Sequence, residues 1–189
     1  HDPEMLSTAQ KTFDLKNDLH KALEEDAFIL NYQPRVDSKT GVCNSLEVLL
    51  RWNHPEKGLI LPGDFIPFAE EKGLMLPIGD WVFENILKQI AAWKKEGLSS
   101  LPLAINLSNS QLMNPRVSQT LENFISKSGL LPGFVEVEIS ETNLVKTSAE
   151  QKKQLNEISE MGAKIALDNF SMGLSSLNTL ATLPLNSLN

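Results

Sequence analysis

Apolar positions recur along the chain in two patterns, the spacing of amphipathic helices and the short continuous runs of buried strands. Two strand-like runs near the start are separated by the turn-forming segment 37–41, and this short link predicts that they pair antiparallel. Strands and helices alternate after them. Strands are predicted over 28–36, 42–50, 101–107, 134–139, 163–167 and from 183 onward, and helices over 14–26, 62–72, 80–96, 115–127, 147–160 and 173–181.

This alternation predicts an α/β fold in which a mostly parallel sheet is covered by helices. A complete (β/α)8 barrel takes roughly 250 residues, whereas this chain supplies five strands and the start of a sixth. We therefore expect a TIM-like barrel that is incomplete in this chain. Residues 1–13 are polar and are predicted to be a linker or a leftover of expression, and 14–189 are predicted to be one domain.

Composition narrows the functional classes. The 189 residues carry a net charge of −7, which argues against a duplex nucleic-acid binder, since such proteins usually present a basic face. No apolar run approaches the length of a membrane span, so we expect no membrane segment in this chain. The single cysteine, Cys43, cannot form an internal disulfide, and this favours a reducing, cytoplasmic location. We expect the domain to be cytoplasmic even if its parent protein is anchored in a membrane.

One acidic residue stands at the front of an otherwise apolar strand. Glu47 precedes Val48–Leu50, and a carboxylate that enters a buried strand is costly unless it is paired or bound to metal. Taken alone, the stretch is better interpreted as a strand with charges at exposed ends. However, Asn106, Glu138 and Asp168 lie in or at the ends of the strands that follow. Four oxygen ligands from successive strands predict one hard-metal site at one end of a parallel sheet.

The motifs along the chain resemble the EAL domain family, bacterial phosphodiesterases that linearise cyclic di-GMP. Many separate motifs in the same order make this resemblance specific, and it covers the chain from about residue 14 to the end. Val48 replaces the signature alanine, which is a mild change. The matching pieces are Tyr32-Gln33-Pro34, Glu47–Trp52, Gly63–Pro67, Pro77–Val82, Ile105–Ser108, Glu138–Glu141 and Ala166–Phe170.

The resemblance implies hydrolysis of one phosphodiester of cyclic di-GMP with two Mg²⁺ or Mn²⁺ ions per site. Metals about 3.5–4 Å apart lower the pKa of a bridging water and offset charge on the phosphate. The family's residue roles fall on this chain as follows: first-metal ligands Glu47, Asn106, Glu138 and Asp168; a phosphate contact, Arg51; positions near the nucleotide, Gln33 and Leu49; and support of the loop after the fifth strand, Glu141.

Three departures from the family pattern lie near the end of the chain. The second aspartate that helps to hold the second metal is Asn169 here, so this site carries one negative charge less. The loop that couples metal binding to dimerisation, usually Gly-Thr-Gly-Tyr, reads 171–174 as Ser-Met-Gly-Leu. The catalytic lysine position holds Asn189, which cannot carry the charge of an ammonium. A later glutamate ligand and the last three strands are absent from the chain as given. We therefore expect a weakened second metal site and poor or absent hydrolysis.

Three functional interpretations stay open at this point: an EAL-type phosphodiesterase domain seen as a fragment, a degenerate domain that binds cyclic di-GMP without cutting it, and a scaffold for a protein partner in bacterial signalling. The resemblance also suggests an upstream GGDEF or sensor domain. An unfinished barrel would leave sheet edges that could pair with a second copy, giving a homodimer. His54 is predicted to be an exposed loop histidine.

Overall fold

The computed structural model describes residues 17–141, 148–168 and 182–188. Its strands are β1 (Phe28–Val36), β2 (Cys43–His54), β3 (Gly58–Ile60), β4 (Leu103–Asn106), β5 (Val135–Ser140), β6 (Lys164–Asp168) and β7 (Ser187–Leu188). Its helices are α1 (residues 17–24), α2 (Pro62–Glu71), α3 (Met75–Lys95), α4 (Asn109–Leu112), α5 (Val117–Ser128) and α6 (Ala149–Glu160), with a 3-10 turn at Pro132–Phe134. In these ranges, none of the helices has both the length and the apolar character needed to cross a membrane. The helix predicted over 173–181 lies outside the described residues.

All seven strands form one sheet, in the order β1-β2-β4-β5-β6-β7 with β3 beside β2. β1 pairs antiparallel with β2, and β2, β4, β5, β6 and β7 follow one another in parallel pairs. The predicted α/β architecture with an antiparallel first strand is thereby confirmed. β3 is the exception among the later strands because it returns antiparallel to β2, and no strand was predicted there. In the part of the chain that the structure describes, β1 and β7 are the outer strands, and the sheet does not close into a barrel.

The face of the sheet under the helices is apolar. Side chains from alternate positions of every parallel strand except β7 join a single cluster with the inner sides of α3, α5 and α6. Full burial of an aliphatic side chain contributes about 1.5–3 kcal/mol, so this layer is a main source of stability. Its sheet members are Val48, Leu103, Ile105, Val135, Val137, Ile139, Ile165 and Leu167.

α3 begins earlier than predicted. Its predicted start was residue 80, but the helix starts at Met75 and Asp80 lies exposed in its second turn. Pro77 is tolerated there because the first turn of a helix has no intrahelical partner for its N–H groups. At position 79, packing against Gln111 favours glycine. A Cβ at this position would lie 2.2 Å from Nε2 of the buried Gln111.

His54 is buried, and the prediction of an exposed loop histidine was wrong. The side chain is only 5% exposed because β2 continues to His54 instead of ending before it. Its Nδ1 accepts hydrogen bonds from the backbone N–H groups of Glu56 and Lys57, at 3.1 and 3.2 Å. An acceptor at Nδ1 places the proton of the neutral ring on Nε2, which lies 3.2 Å from Oδ2 of Asp18 in α1. His54 thus ties α1 to the end of β2.

Candidate functional site

The face of the sheet opposite the helices is polar. Successive side chains of a strand point to opposite faces, so residues two apart share a face. In β5 the buried Val135, Val137 and Ile139 point to the helices, which directs the intervening residues to the other side. Residues on this inner face include Gln33 and Arg35 in β1, Glu47, Leu49 and Arg51 in β2, Asn106 in β4, Glu136, Glu138 and Ser140 in β5, and Asp168 in β6.

Strand register brings the four predicted metal ligands to one region of this face. Asn106 pairs with Glu138, and Asp168, the last residue of β6, pairs with Ser140. Nδ2 of Asn106 lies 3.5 Å from Oε1 of Glu47, to which it donates a hydrogen bond. The four side chains therefore come from four adjacent parallel strands and lie toward the ends at which β4, β5 and β6 finish.

A cation already lies among these oxygens, and it belongs to Arg35. Its Nη2 is 2.9 Å from Oε2 of Glu47 and 2.5 Å from Oε1 of Glu138, and its Nη1 is 3.2 Å from Oε1 of Glu136. Sequence reasoning named neither Arg35 nor Glu136. The available signal was their spacing, because Arg35 lies two residues after Gln33 and Glu136 two residues before Glu138, so each shares a strand face with a predicted site residue.

Burial and the neighbouring charges shift the pKa values of Glu138 and Arg35. Burial raises the pKa of the Glu138 carboxyl, and the neighbouring charges of Glu47 and Asp168 raise it further, while the hydrogen bond and charge of Arg35 lower it, leaving it above its ordinary value. For Arg35, burial lowers the pKa, but hydrogen bonds and charge from Glu138 and Glu47 outweigh that effect and raise it. Without a cation beside it, the Glu138 carboxylate would be costly to bury.

A cavity of about 620 Å³ adjoins the cluster. Glu47, Asn106, Ser140 and Asp168 are polar residues of the inner face that line it, Leu49 lines it beside them, and residues of α2 and α3 form an apolar wall. This volume is in the range of small-molecule and cofactor sites, which combine apolar walls with a few convergent polar groups. The apolar wall includes Pro62, Ile66, Pro67, Met75, Ile78, Val82 and Phe83.

Of the other predicted site residues, the structure describes the surroundings of Gln33, Arg51 and Glu141. Gln33 is exposed and pairs across the strands with Glu47, which makes the two side chains neighbours on the inner face. Nη1 of Arg51 donates to the backbone carbonyl of Leu50 at 2.8 Å. Glu141 is buried directly after β5. Asn169 and Asn189 lie outside the described residues.

The donor chemistry of the cluster fits a hard divalent cation. Every predicted ligand offers a carboxylate or amide oxygen, as Mg²⁺ and Mn²⁺ prefer. The guanidinium of Arg35 marks a position where one cation reaches both Glu47 and Glu138. Among the described residues, no group of three acidic, histidine or cysteine side chains is placed to hold a metal ion. Glu47, Asn106, Glu138 and Asp168 are the residues that would hold one.

Known proteins match this chain over nearly its whole length. The EAL domain family profile matches residues 16–189. Cyclic di-GMP phosphodiesterase PdeR of Escherichia coli is 36% identical over 186 residues, which cover 98% of this chain and 28% of PdeR. The bifunctional diguanylate cyclase/cyclic di-GMP phosphodiesterase MucR of Pseudomonas aeruginosa is 35% identical over 184 residues, which cover 97% of this chain and 27% of MucR. The chain thus spans less than a third of the length of these relatives.

The fold also matches a solved structure with a bound dinucleotide. The PaMucR phosphodiesterase in complex with c-di-GMP superposes with a TM-score of 0.84 and 35% sequence identity. The match covers 93% of this chain and 71% of that chain. The two share one TIM-like α/β fold.

Proposed function

Because the chain belongs to the EAL domain family of cyclic di-GMP phosphodiesterases, we propose that its inner face binds cyclic di-GMP with a divalent metal and that it hydrolyses the ligand poorly. The observation that carries this proposal is the convergence of Glu47, Asn106 and Asp168 beside a cavity of about 620 Å³. The names of PdeR and MucR support the ligand, since both are cyclic di-GMP phosphodiesterases.

In this proposal Glu47, Asn106, Glu138 and Asp168 hold Mg²⁺ or Mn²⁺ through oxygen atoms. A bound divalent ion supplies positive charge that polarises a phosphoryl oxygen and activates water. The chain's own residues position the ligand. Arg51 is proposed to contact a phosphate, to which the planar guanidinium is suited. Gln33 and Leu49 border the nucleotide, and the buried Glu141 supports the loop after β5.

Poor turnover is proposed from two residue identities. Asn169 stands where the family has a second aspartate, so the second metal loses one negative ligand charge. Asn189 stands where the family has its catalytic lysine, and an amide cannot supply an ammonium charge. Neither change removes a first-metal ligand or Arg51. Binding is therefore expected to survive better than hydrolysis, and a receptor is the alternative to an impaired enzyme.

Two assays on two proteins test the proposal. Binding of cyclic di-GMP with Mg²⁺ or Mn²⁺ is measured by calorimetry, and the linear dinucleotide is measured by chromatography, for the chain and for its Asn169→Asp plus Asn189→Lys variant. We expect binding by both proteins and a higher hydrolysis rate for the double variant. Fast hydrolysis by the unmodified chain would contradict impairment. Binding without turnover by either would support a receptor, and absence of both would leave a protein scaffold as the better account.

The surroundings of the domain are a separate proposal. The bifunctional relative MucR supports an upstream GGDEF domain, with a sensor domain as the other arrangement. We also propose a cytoplasmic location and self-association of the domain as a homodimer. Sedimentation of the purified chain with and without cyclic di-GMP tests the dimer, and a single monomeric species under both conditions would exclude it.

A further inference from the structure

Arg35 holds together carboxylates that would otherwise repel one another. Its guanidinium bridges Glu47 and Glu138, which come from strands that are separated in the sheet by β4. The Glu138 side chain is fully buried, and that of Glu47 is 22% exposed. Two carboxylates and one guanidinium in such an environment form strong, charge-assisted hydrogen bonds. Arg35 thus occupies the place of a cation in the inner face.

The same two carboxylates are the ones that the proposed metal requires. An oxygen that accepts a short hydrogen bond from a guanidinium cannot point its lone pair at a metal ion in the same direction. A divalent ion close to Arg35 would also be repelled by the guanidinium charge, and weak screening makes this repulsion larger than in water. Engagement of Arg35 and binding of metal are therefore competing states of one cluster.

Glu136 offers Arg35 an ion pair that does not involve the proposed metal ligands. This carboxylate lies 3.2 Å from Nη1, the terminal nitrogen that does not contact Glu47 or Glu138. Glu136 lies two residues before Glu138 in β5 and is not among the proposed metal ligands. A small rotation of the Arg35 side chain could release Glu47 and Glu138 while its ion pair with Glu136 persists.

We infer that Arg35 is an internal competitor of the divalent metal: it stabilises the metal-free cluster by bridging Glu47 and Glu138, and metal binds only by displacing it toward Glu136. This inference rests on the proposed function, since it concerns the metal of the same site. Competition of this kind sets the metal concentration at which the site fills, because the two cations shift one equilibrium in opposite directions.

The first test measures metal affinity directly. Mn²⁺ binding is followed by electron paramagnetic resonance and calorimetry for the wild-type chain, Arg35→Gln, Arg35→Lys and Arg116→Gln. Arg116 is exposed at the start of α5, so its variant changes the net charge equally without touching the cluster. We expect Arg35→Gln to bind Mn²⁺ about tenfold more tightly than wild type. Arg35→Lys should shift less, because its ammonium keeps the charge but does not present a planar fork. Arg116→Gln should match wild type.

The second test needs no substitution. The side-chain Nε–Hε resonances of the three arginines are followed by nuclear magnetic resonance while the wild-type chain is titrated with Mg²⁺. We expect the Arg35 signal to change with the same midpoint as metal binding and the Arg116 signal to stay constant. A stationary Arg35 signal during saturation with metal would overturn the displacement.

The outcomes separate this inference from the proposed function. Wild-type binding of Mn²⁺ with equal or weaker affinity in Arg35→Gln would overturn the competitor role while leaving the metal site intact. Absence of Mn²⁺ and Mg²⁺ binding by every variant would overturn both. The result that supports the inference is tighter Mn²⁺ binding by Arg35→Gln than by Arg35→Lys, wild type and Arg116→Gln, together with a lower unfolding temperature of Arg35→Gln in chelator.

Discussion

Tyr32 is the single tyrosine of the chain, and its phenol is an isolated polar group. The ring packs edge-on against Trp93 at 4.9 Å between centroids, and among the described residues its buried hydroxyl has no hydrogen-bond partner. Burial raises the pKa of Tyr32 to about 12. The native state therefore binds the phenolic proton more tightly than the unfolded chain, in which the pKa is about 10.

The consequence is a loss of stability in alkali. Below about pH 10 both states hold the proton, and the contribution is constant. As pH rises from about 10 to 12 the unfolded state releases its proton first, so the free energy of unfolding falls, by roughly 1–2 kcal/mol after allowance for partial exposure of the ring. Urea unfolding across this range should show a larger fall for wild type than for Tyr32→Phe, since the lysines titrate in both proteins, and at neutral pH the variant should be equally or slightly more stable. A wild-type phenolate that forms near pH 10 in the folded protein would contradict the prediction.

Gly79 and Gln111 form a pair whose coupling can be measured. Gly79→Ala would gain up to about 1 kcal/mol in helix propensity. The added methyl would also meet the Gln111 amide, which caps α4 by accepting from the Ser108 backbone N–H. We expect Gly79→Ala to destabilise the wild-type chain and to stabilise the Gln111→Ala variant, with a coupling of about 1 kcal/mol or more in a double-mutant cycle. Additive effects would mean that the amide moves aside freely.

Residue identity predicted the four proposed metal ligands of the inner face, but not the two residues that form an ion pair beside them. Glu47, Asn106, Glu138 and Asp168 were identified because each is a polar residue in or at the end of an apolar strand. Arg35 and Glu136 were overlooked, because their partners are fixed by register between strands that are distant in sequence. An ion pair between positions 35 and 136 follows only after β1, β2, β4 and β5 have been placed side by side.

At the scale of elements, the side chain of Asn186 helps to hold the segment before β7 against β6. Oδ1 of Asn186 accepts from the backbone N–H of Ile165 at 2.7 Å, and the Asn186 N–H donates to the Ile165 carbonyl at 2.7 Å. Asn186→Ala would leave the N–H of the buried Ile165 unpaired, which costs about 1–3 kcal/mol. Asn186→Asp keeps the acceptor and should remain close to wild type. Denaturant unfolding of both variants checks this, and equal stability of Asn186→Ala and wild type would contradict it.

Helix and strand boundaries were predictable where one local signal dominated. Gly129 ends α5 in the left-handed conformation, with φ 66°, close to the predicted end at residue 127. α6 ends at Glu160 as predicted, and Ser148 forms its capping box with Gln151. Short elements were missed because their sequences carry too few residues for a period. The three residues of β3 and the four of α4 are held by pairing with β2 and by the Ser108 cap. The early start of α3 was missed because Pro77 and Gly79 resemble breakers until their tertiary surroundings are known.

At the scale of the whole molecule, the sheet divides an apolar face under the helices from an inner face that carries several charges. The apolar layer supplies the stability that tolerates like-charged carboxylates at one place. Such a cluster is typical of a ligand site, since charges that serve packing alone would be costly to retain. Metal binding should therefore raise the stability of the whole fold, because the ligands come from four strands of the sheet.

This coupling gives the last prediction. A ligand that binds only the native state stabilises it by about 2.7 kcal/mol at 100 times its dissociation constant. For a chain of this size, that corresponds to a rise of roughly 5–10 °C in unfolding temperature. We expect saturating Mn²⁺ to raise the unfolding temperature of wild type relative to chelator at matched ionic strength. Asp168→Asn should reduce the rise because it removes one ligand charge. Glu122→Gln, an equal charge change at an exposed site on α5, should leave it intact. Equal rises for all three proteins would show that Mn²⁺ stabilises the chain from a site that does not include Asp168.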